Sequence, residues 1–145
     1  MTTNKDITNV FHSSVLDELE NNGVIYRLYE NRIYHVIIPE FNEVGMELID
    51  VGYDFLNKNG GGQFYNVFQF SSFSGIKPEI REWAAKSSGN NYTFSDAIVI
   101  DSLPQKIMAD FYLKVNRPKK PTRVFYNLDK AIEWTLEQVS EGLNG

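Results

Sequence analysis

Residues 95–139 read SDAIVIDSLPQKIMADFYLKVNRPKKPTRVFYNLDKAIEWTLEQV and alternate without a gap between strand and helix patterns. Residues 94–100 form an apolar run whose AIVI core predicts a strand buried on both faces, as central parallel strands require. Ser102 and Gln105 make a capping box, with Pro104 in the first helical turn where its missing N–H costs nothing. The helix runs to the Arg117-Pro118 stop, long enough to recross a sheet, so the strand that follows at residues 122–126 is expected to lie parallel to the one before. Leu103, Ile107, Phe111 and Val115 recur at helical spacing and are expected to face the sheet. Lys106, Asp110 and Lys114 form an outward charge ladder. Asn127 caps a last helix that turns Leu128, Ile132, Leu136 and Val139 inward.

Upstream, VIYRLYENRIYHVIIP contains two β-rich runs about Glu30-Asn31, where asparagine tolerates a left-handed turn, so a hairpin opens the domain. Pro39 ends its second strand. Asn42 is expected to cap a helix striped by Val44, Leu48, Val51 and Phe55, with Gly45 and Gly52 on one face to admit a close neighbour. Residues 64–70, FYNVFQF, form a third strand, and Pro78 opens a short helix carrying Ile80, Trp83 and Ala84. Residues 87–91 read as a loop. Residues 1–22 read as a tail or short helix over 14–21, and residues 23–145 as one α/β domain with a mixed sheet of about five strands, a hairpin followed by βα units with helices packed on the sheet.

The chain has 145 residues, 42% of them hydrophobic, a net charge of −5 and no cysteine. Such a chain buries a core without disulfides and has no thiolate metal site or thiol nucleophile. No apolar run approaches the roughly 18 residues of a membrane span, and the first residues have neither the basic start nor the apolar core of a secretory signal, so a cytoplasmic location is expected. A negative balance disfavours a phosphate backbone, so no nucleic-acid partner is expected. The ten Phe and eight Tyr fit either a dense core or an exposed face between two copies of a homodimer.

Few residues carry chemistry. Gly60, Gly61 and Gly62 follow a helix and precede a strand, the reverse of a phosphate-binding loop, and read as a C-cap and turn. His35 alternates with Ile33 and Ile37 on a strand face, where an isolated imidazole packs or hydrogen-bonds; His12 has no visible partner. Metal and cofactor signatures are missing. Asp96 and Asp101 bracket the fourth strand, and Asp101 with Ser102 sits at a carboxyl end, where open α/β sheets place ligands. Ser71, Ser72 and Ser74 occupy a junction between strand and helix, where a phosphate would meet helix N–H groups. Arg117, Lys119, Lys120 and Arg123 form one Pro-stiffened basic turn suited to an anionic group or a simple connector.

From about Gly23 onward the order of elements resembles that of bacterial STAS-like, SpoIIAA-like single-domain proteins, most closely their Bacteroidetes-type branch. There the ending reads as an apolar strand, a helix closing in F-x-x-K-x-N-K/R-P, a basic turn, T-K/R-x-F and an acidic A-x-x-W helix. Phe111, Lys114, Asn116, Arg117, Pro118, Thr122, Arg123, Phe125, Ala131 and Trp134 match it. The resemblance implies a regulatory or binding role toward a protein or small ligand, not catalysis. It also implies a serine switch in members with an Asp-Ser pair, but residues 71–75 have no such pair and no serine is assigned. Because related folds resemble small lipid-binding domains, the alternative is a carrier of an apolar or lipid-like ligand whose anionic head meets the basic turn.

Overall fold

The computed structural model describes residues 11–86 and 92–144; the expected loop at 87–91 and the first ten residues of the expected tail lie outside them. Among the described residues the order is β1 (Val15–Asn21), β2 (Val24–Tyr29), β3 (Ile33–Ile38), β4 (Glu43–Val44), α1 (Met46–Lys58), β5 (Phe64–Phe70), β6 (Gly75–Ile76), α2 (Pro78–Ala85), β7 (Thr93–Val99), α3 (Leu103–Phe111), a π-helical turn (Tyr112–Asn116), β8 (Thr122–Phe125) and α4 (Leu128–Asn144). The fold is α/β. Strands β1-β2-β3-β5-β7-β8 form a mixed six-stranded sheet, and β4-β6 a separate two-stranded clasp.

The expected parallel repeat is present. β3 pairs parallel with β5, β5 with β7 and β7 with β8, so their carboxyl ends share one edge. Each crossover steps the same way along the sheet. Right-handed crossovers stepping one way must lie on one face, and α1, α2 and α3 all pack with Tyr26, Val36, Phe64 and Ile98 in the larger core. α4 covers the other face, where Ile33, Val67, Ala97 and Phe125 meet Leu128, Ala131, Ile132, Leu136 and Val139. Asn127 caps it as expected, its Oδ1 accepting from Lys130 N at 2.9 Å.

Three expectations are corrected. Residues 15–21 are not a helix but an edge strand, antiparallel to β2, which raises the sheet from about five strands to six. The turn is Asn22-Gly23, with φ of 52° and 82°, the Asn-Gly pair that a tight hairpin selects. The loose helical spacing around Leu16 and Leu19 masked an alternation in which Val15, Asp17 and Leu19 are half-buried and Leu16, Glu18 and Glu20 exposed. At the second hairpin the left-handed residue is Arg32, φ 72°, not Asn31, whose side chain instead donates to Phe11 O and accepts from Ile33 N. The helix after Pro39 begins at Met46 with Gly45 as its N-cap, because Val44 is taken up by the pairing with Ile76.

Other readings hold. All three turn glycines have positive φ, and Gly61 N returns to Leu56 O at 2.9 Å as a helix C-cap. Gly52 meets the Tyr34 hydroxyl and Tyr26 ring where a Cβ would stand. Buried His35 bonds through Nε2 to Gln69 Oε1 at 2.8 Å and lies edge-on to Phe11. Burial pushes its pKa down to about 4, so the ring is neutral at pH 7.

Candidate functional site

The two junctions that the sequence singled out meet at the carboxyl edge. Ser72 Oγ donates to Asp101 Oδ2 at 2.6 Å, and Gln105, buried in the first turn of α3, links the loops further. Its Nε2 donates to Ser71 O at 2.8 Å and Ser74 O at 3.0 Å, while its Oε1 accepts from Asp101 N at 2.6 Å. The capping box therefore forms with a shift: Ser102 Oγ accepts from Gln105 N at 3.4 Å, but the return bond reaches Asp101 N rather than that of Ser102. Ser74 is buried with Oγ donating to Ser71 O at 2.6 Å. Ser72 is the serine of this loop whose hydroxyl engages a carboxylate.

The serines do not sit at the start of the next helix, as expected. β6 intervenes, and α2 starts at Pro78 with Lys77 as N-cap. The helix they contact is α3, through Gln105.

α3 presents the opposite face from the one expected. Leu103, Ile107, Phe111 and Val115 are 66%, 62%, 48% and 57% exposed, whereas Gln105, Ala109 and Tyr112 are buried. Both sets recur at helical spacing, and the polar anchors of Gln105 decide which turns inward. The Lys106–Asp110 pair of the charge ladder forms at 2.7 Å.

Two aromatics stand beside this knot. Phe41, after β3, and Phe73, after β5, are 76% and 75% exposed, with rings stacked at 5.0 Å and 6° between planes. Both have left-handed backbone, φ 58° and 59°, a conformation that bulky residues avoid. Phe41 N donates to Ser72 O at 3.2 Å, holding the loops in register. Sequence spacing gives no sign of these two, since each lies in a short loop outside any periodic run.

The basic turn divides. Arg117, Lys119 and Arg123 are exposed, and Arg117 closes the π turn at φ 53°. Lys120 turns inward: its side chain is 6% exposed, 3.4 Å from Asp96 Oδ2 and donating to Ala84 O at 2.6 Å. Asn66 Nδ2 donates to Asp96 Oδ1 and Thr93 Oγ1, both at 2.9 Å. Burial raises the Asp96 pKa, opposed by Lys120 and Asn66. Of the two aspartates, Asp96 within β7 and Asp101 after it, Asp96 is thus the buried one. The signal was present in sequence, since Asn66 and Asp96 interrupt runs otherwise suited to double burial.

The described residues include no group of three or more His, Asp or Glu arranged to hold a metal ion, and no helix long and apolar enough to cross a membrane. The chain belongs to a family described as a domain of unknown function (DUF7793), whose sequence model matches residues 28–139. None of the curated proteins and none of the solved structures matches it.

Proposed function

We propose that this DUF7793 member is a non-enzymatic, STAS-like binding domain that recognises a protein partner through the carboxyl edge of its parallel strands. The carrying observation is the Phe41–Phe73 stack. Two bulky residues held in left-handed backbone store roughly 1–2 kcal/mol each, and the fold spends that strain on presenting two rings to solvent. Aromatic anchors rimmed by polar groups are the usual centre of a protein interface, and here Ser72 and Asp101 supply the rim. Leu103, Ile107 and Phe111 extend the apolar surface along α3. The partner is therefore one that offers an apolar anchor beside a basic group. The STAS-like assignment draws on the C-terminal motif and on a hairpin followed by strand–helix units.

A photo-crosslinking residue at position 73, expressed in the native cell, tests this. A discrete protein adduct is expected that disappears with Phe41→Ala. The identified partner, once purified, should bind more weakly to Asp101→Lys. Adducts no different from those formed at exposed position 119 would sink the proposal.

A further inference from the structure

A cavity of about 90 Å³ lies between the sheet and helices α1 and α2, with Phe68 and Ile98 on the sheet side and Ile49 and Trp83 on the helix side. It is smaller than the roughly 150 Å³ that holds benzene in an engineered protein core, so it admits a few carbon atoms and no long acyl chain. Its charged lining is unbalanced, because Asp96 shares it with two cations, Lys120 and Arg81. Lys120 is spent on Asp96 Oδ2 at 3.4 Å and on Ala84 O at 2.6 Å. Arg81 forms no ion pair with any described residue.

The Arg81 guanidinium is held in place all the same. Its Nη1 donates to Ile76 O at 3.0 Å, and its Cζ lies 5.6 Å from the Phe111 ring centroid. That leaves the edge formed by Nε and Nη2, whose two parallel N–H groups match a carboxylate accepting side-on. Nε is buried without a partner, a donor whose desolvation no protein group offsets. The sheet wall offers the reverse. Asn66 spends both amide hydrogens on Thr93 and Asp96, which leaves its Oδ1 as a buried, unmet acceptor beside a carboxylate. Such a corner turns an anion away, so a negative head belongs at Arg81 and an apolar body against the sheet. We propose that the cavity binds a short apolar monocarboxylate, with a body of about three or four carbons and its carboxylate on the Nε and Nη2 edge of Arg81. One negative charge offsets the one cation that Asp96 leaves over. Arg117, Lys119 and Arg123, the cations expected to meet an anionic head, are exposed and do not line the cavity. The ligand seat is internal and the aromatic stack is on the surface, so either reading stands if the other falls.

Butyrate, butyramide and butylammonium share a small aliphatic body and differ in the head, which is anionic, neutral and cationic in turn. Titrated at millimolar concentration into the isotope-labelled full chain, butyrate should shift the Ile49 and Ile98 methyls and the Arg81 Nε–H in NMR spectra. Butyramide should bind about tenfold more weakly, and butylammonium should leave these signals unmoved. Arg81→Gln should weaken butyrate about tenfold and change butyramide by less than about twofold. If that variant fails to fold, Arg81→Lys keeps the charge, loses the fork and should still weaken butyrate more than butyramide. Ile49→Phe fills the space and should abolish the butyrate shifts. Equal binding of butyrate and butyramide, an Arg81 variant that takes butyrate as wild type does, shifts that persist in the filled variant or are confined to Arg117 and Lys119, or no binding by wild type would each overturn the proposal.

Discussion

The hydroxyl of Ser72 donates to Asp101 Oδ2 at 2.6 Å, joining the loop after β5 to the loop after β7. The strands pair directly, so the bond closes a ring of short connections around the edge. A negative group at position 72 would face a carboxylate instead of donating to it, and would push the loops that carry Phe73 and Leu103 apart.

Ser72→Ala should therefore cost about 1 kcal/mol in urea unfolding, and Ser72→Glu more, by roughly another 1 kcal/mol of like-charge repulsion. The Ser72→Glu/Asp101→Asn pair should recover most of that increment. If Ser72→Glu is no less stable than Ser72→Ala, the bond does not hold the edge together.

Gln105 supplies a larger effect, because three backbone groups depend on its amide. Gln105→Leu keeps the volume but strands Ser71 O, Ser74 O and Asp101 N, so a loss of about 2–4 kcal/mol is expected. Leu103→Ala and Ile107→Ala, on the exposed face, should each change stability by less than about 0.5 kcal/mol. Measured denaturation midpoints in the opposite order would restore the inward stripe that the sequence predicts.

That contrast shows where the sequence was legible. Strand and helix periods, caps and breakers located β2, β3, β5, β7, β8 and the start of α4 to within a residue or two, because Pro39, Ser102, Pro118 and Asn127 act locally. The edge strand β1 was hidden because its outer face is acidic and its inner face half polar, although Asn22-Gly23 marked the turn. Hydrophobicity alone selects the wrong one of the two faces of α3, since Leu103, Ile107 and Phe111 outweigh Gln105, Ala109 and Tyr112. What selects between them is a hydrogen-bond set that exists only when residues 71–75 are in place. The serine and Asp101 positions were readable as junctions. Their meeting is tertiary, as are the aromatic stack and the inward turn of Lys120.

His35 sets a pH dependence. Its ring is buried, its pKa falls from 6.5 to about 4, and the unfolded chain takes up the proton first. Stability from this group is complete above about pH 6.5 and is lost as pH falls toward 4, by on the order of 3 kcal/mol at about 1.4 kcal/mol per unit. Asp96 acts in the opposite sense: its raised pKa favours the fold as the carboxyl protonates. The difference between wild type and His35→Gln isolates the imidazole. Comparing urea unfolding at pH 7 and pH 4.5, wild type should lose about 2–3 kcal/mol more than the variant, and equal losses would exclude the imidazole as the cause.

Gly52 lies inside α1, where alanine would ordinarily add about 1 kcal/mol. Here a Cβ would meet the Tyr34 hydroxyl and come within 3.3 Å of the Tyr26 ring. Gly52→Ala should instead destabilise by about 1–2 kcal/mol, overpacking outweighing propensity. Tyr34→Phe removes the obstructing oxygen, so the double variant should be more stable than the two single effects added. Simple additivity would mean that the helix shifts to make room.

Phe41 and Phe73 separate strain from structure most directly. Each stands in left-handed backbone that asparagine tolerates better, and each is about three-quarters exposed. The stack returns roughly 0.5–1.5 kcal/mol, against roughly 2–4 kcal/mol stored in the two backbones, of which asparagine relieves only part. Phe41→Asn/Phe73→Asn should therefore unfold within about 1 kcal/mol of wild type, whereas a core aromatic such as Phe64, 1% exposed, should cost about 3–5 kcal/mol on truncation to alanine. The same double variant should lose the cross-linked partner described above. A loss of stability comparable to Phe64→Ala would make the rings part of the core's support; wild-type stability with partner binding intact would leave their exposure without a function.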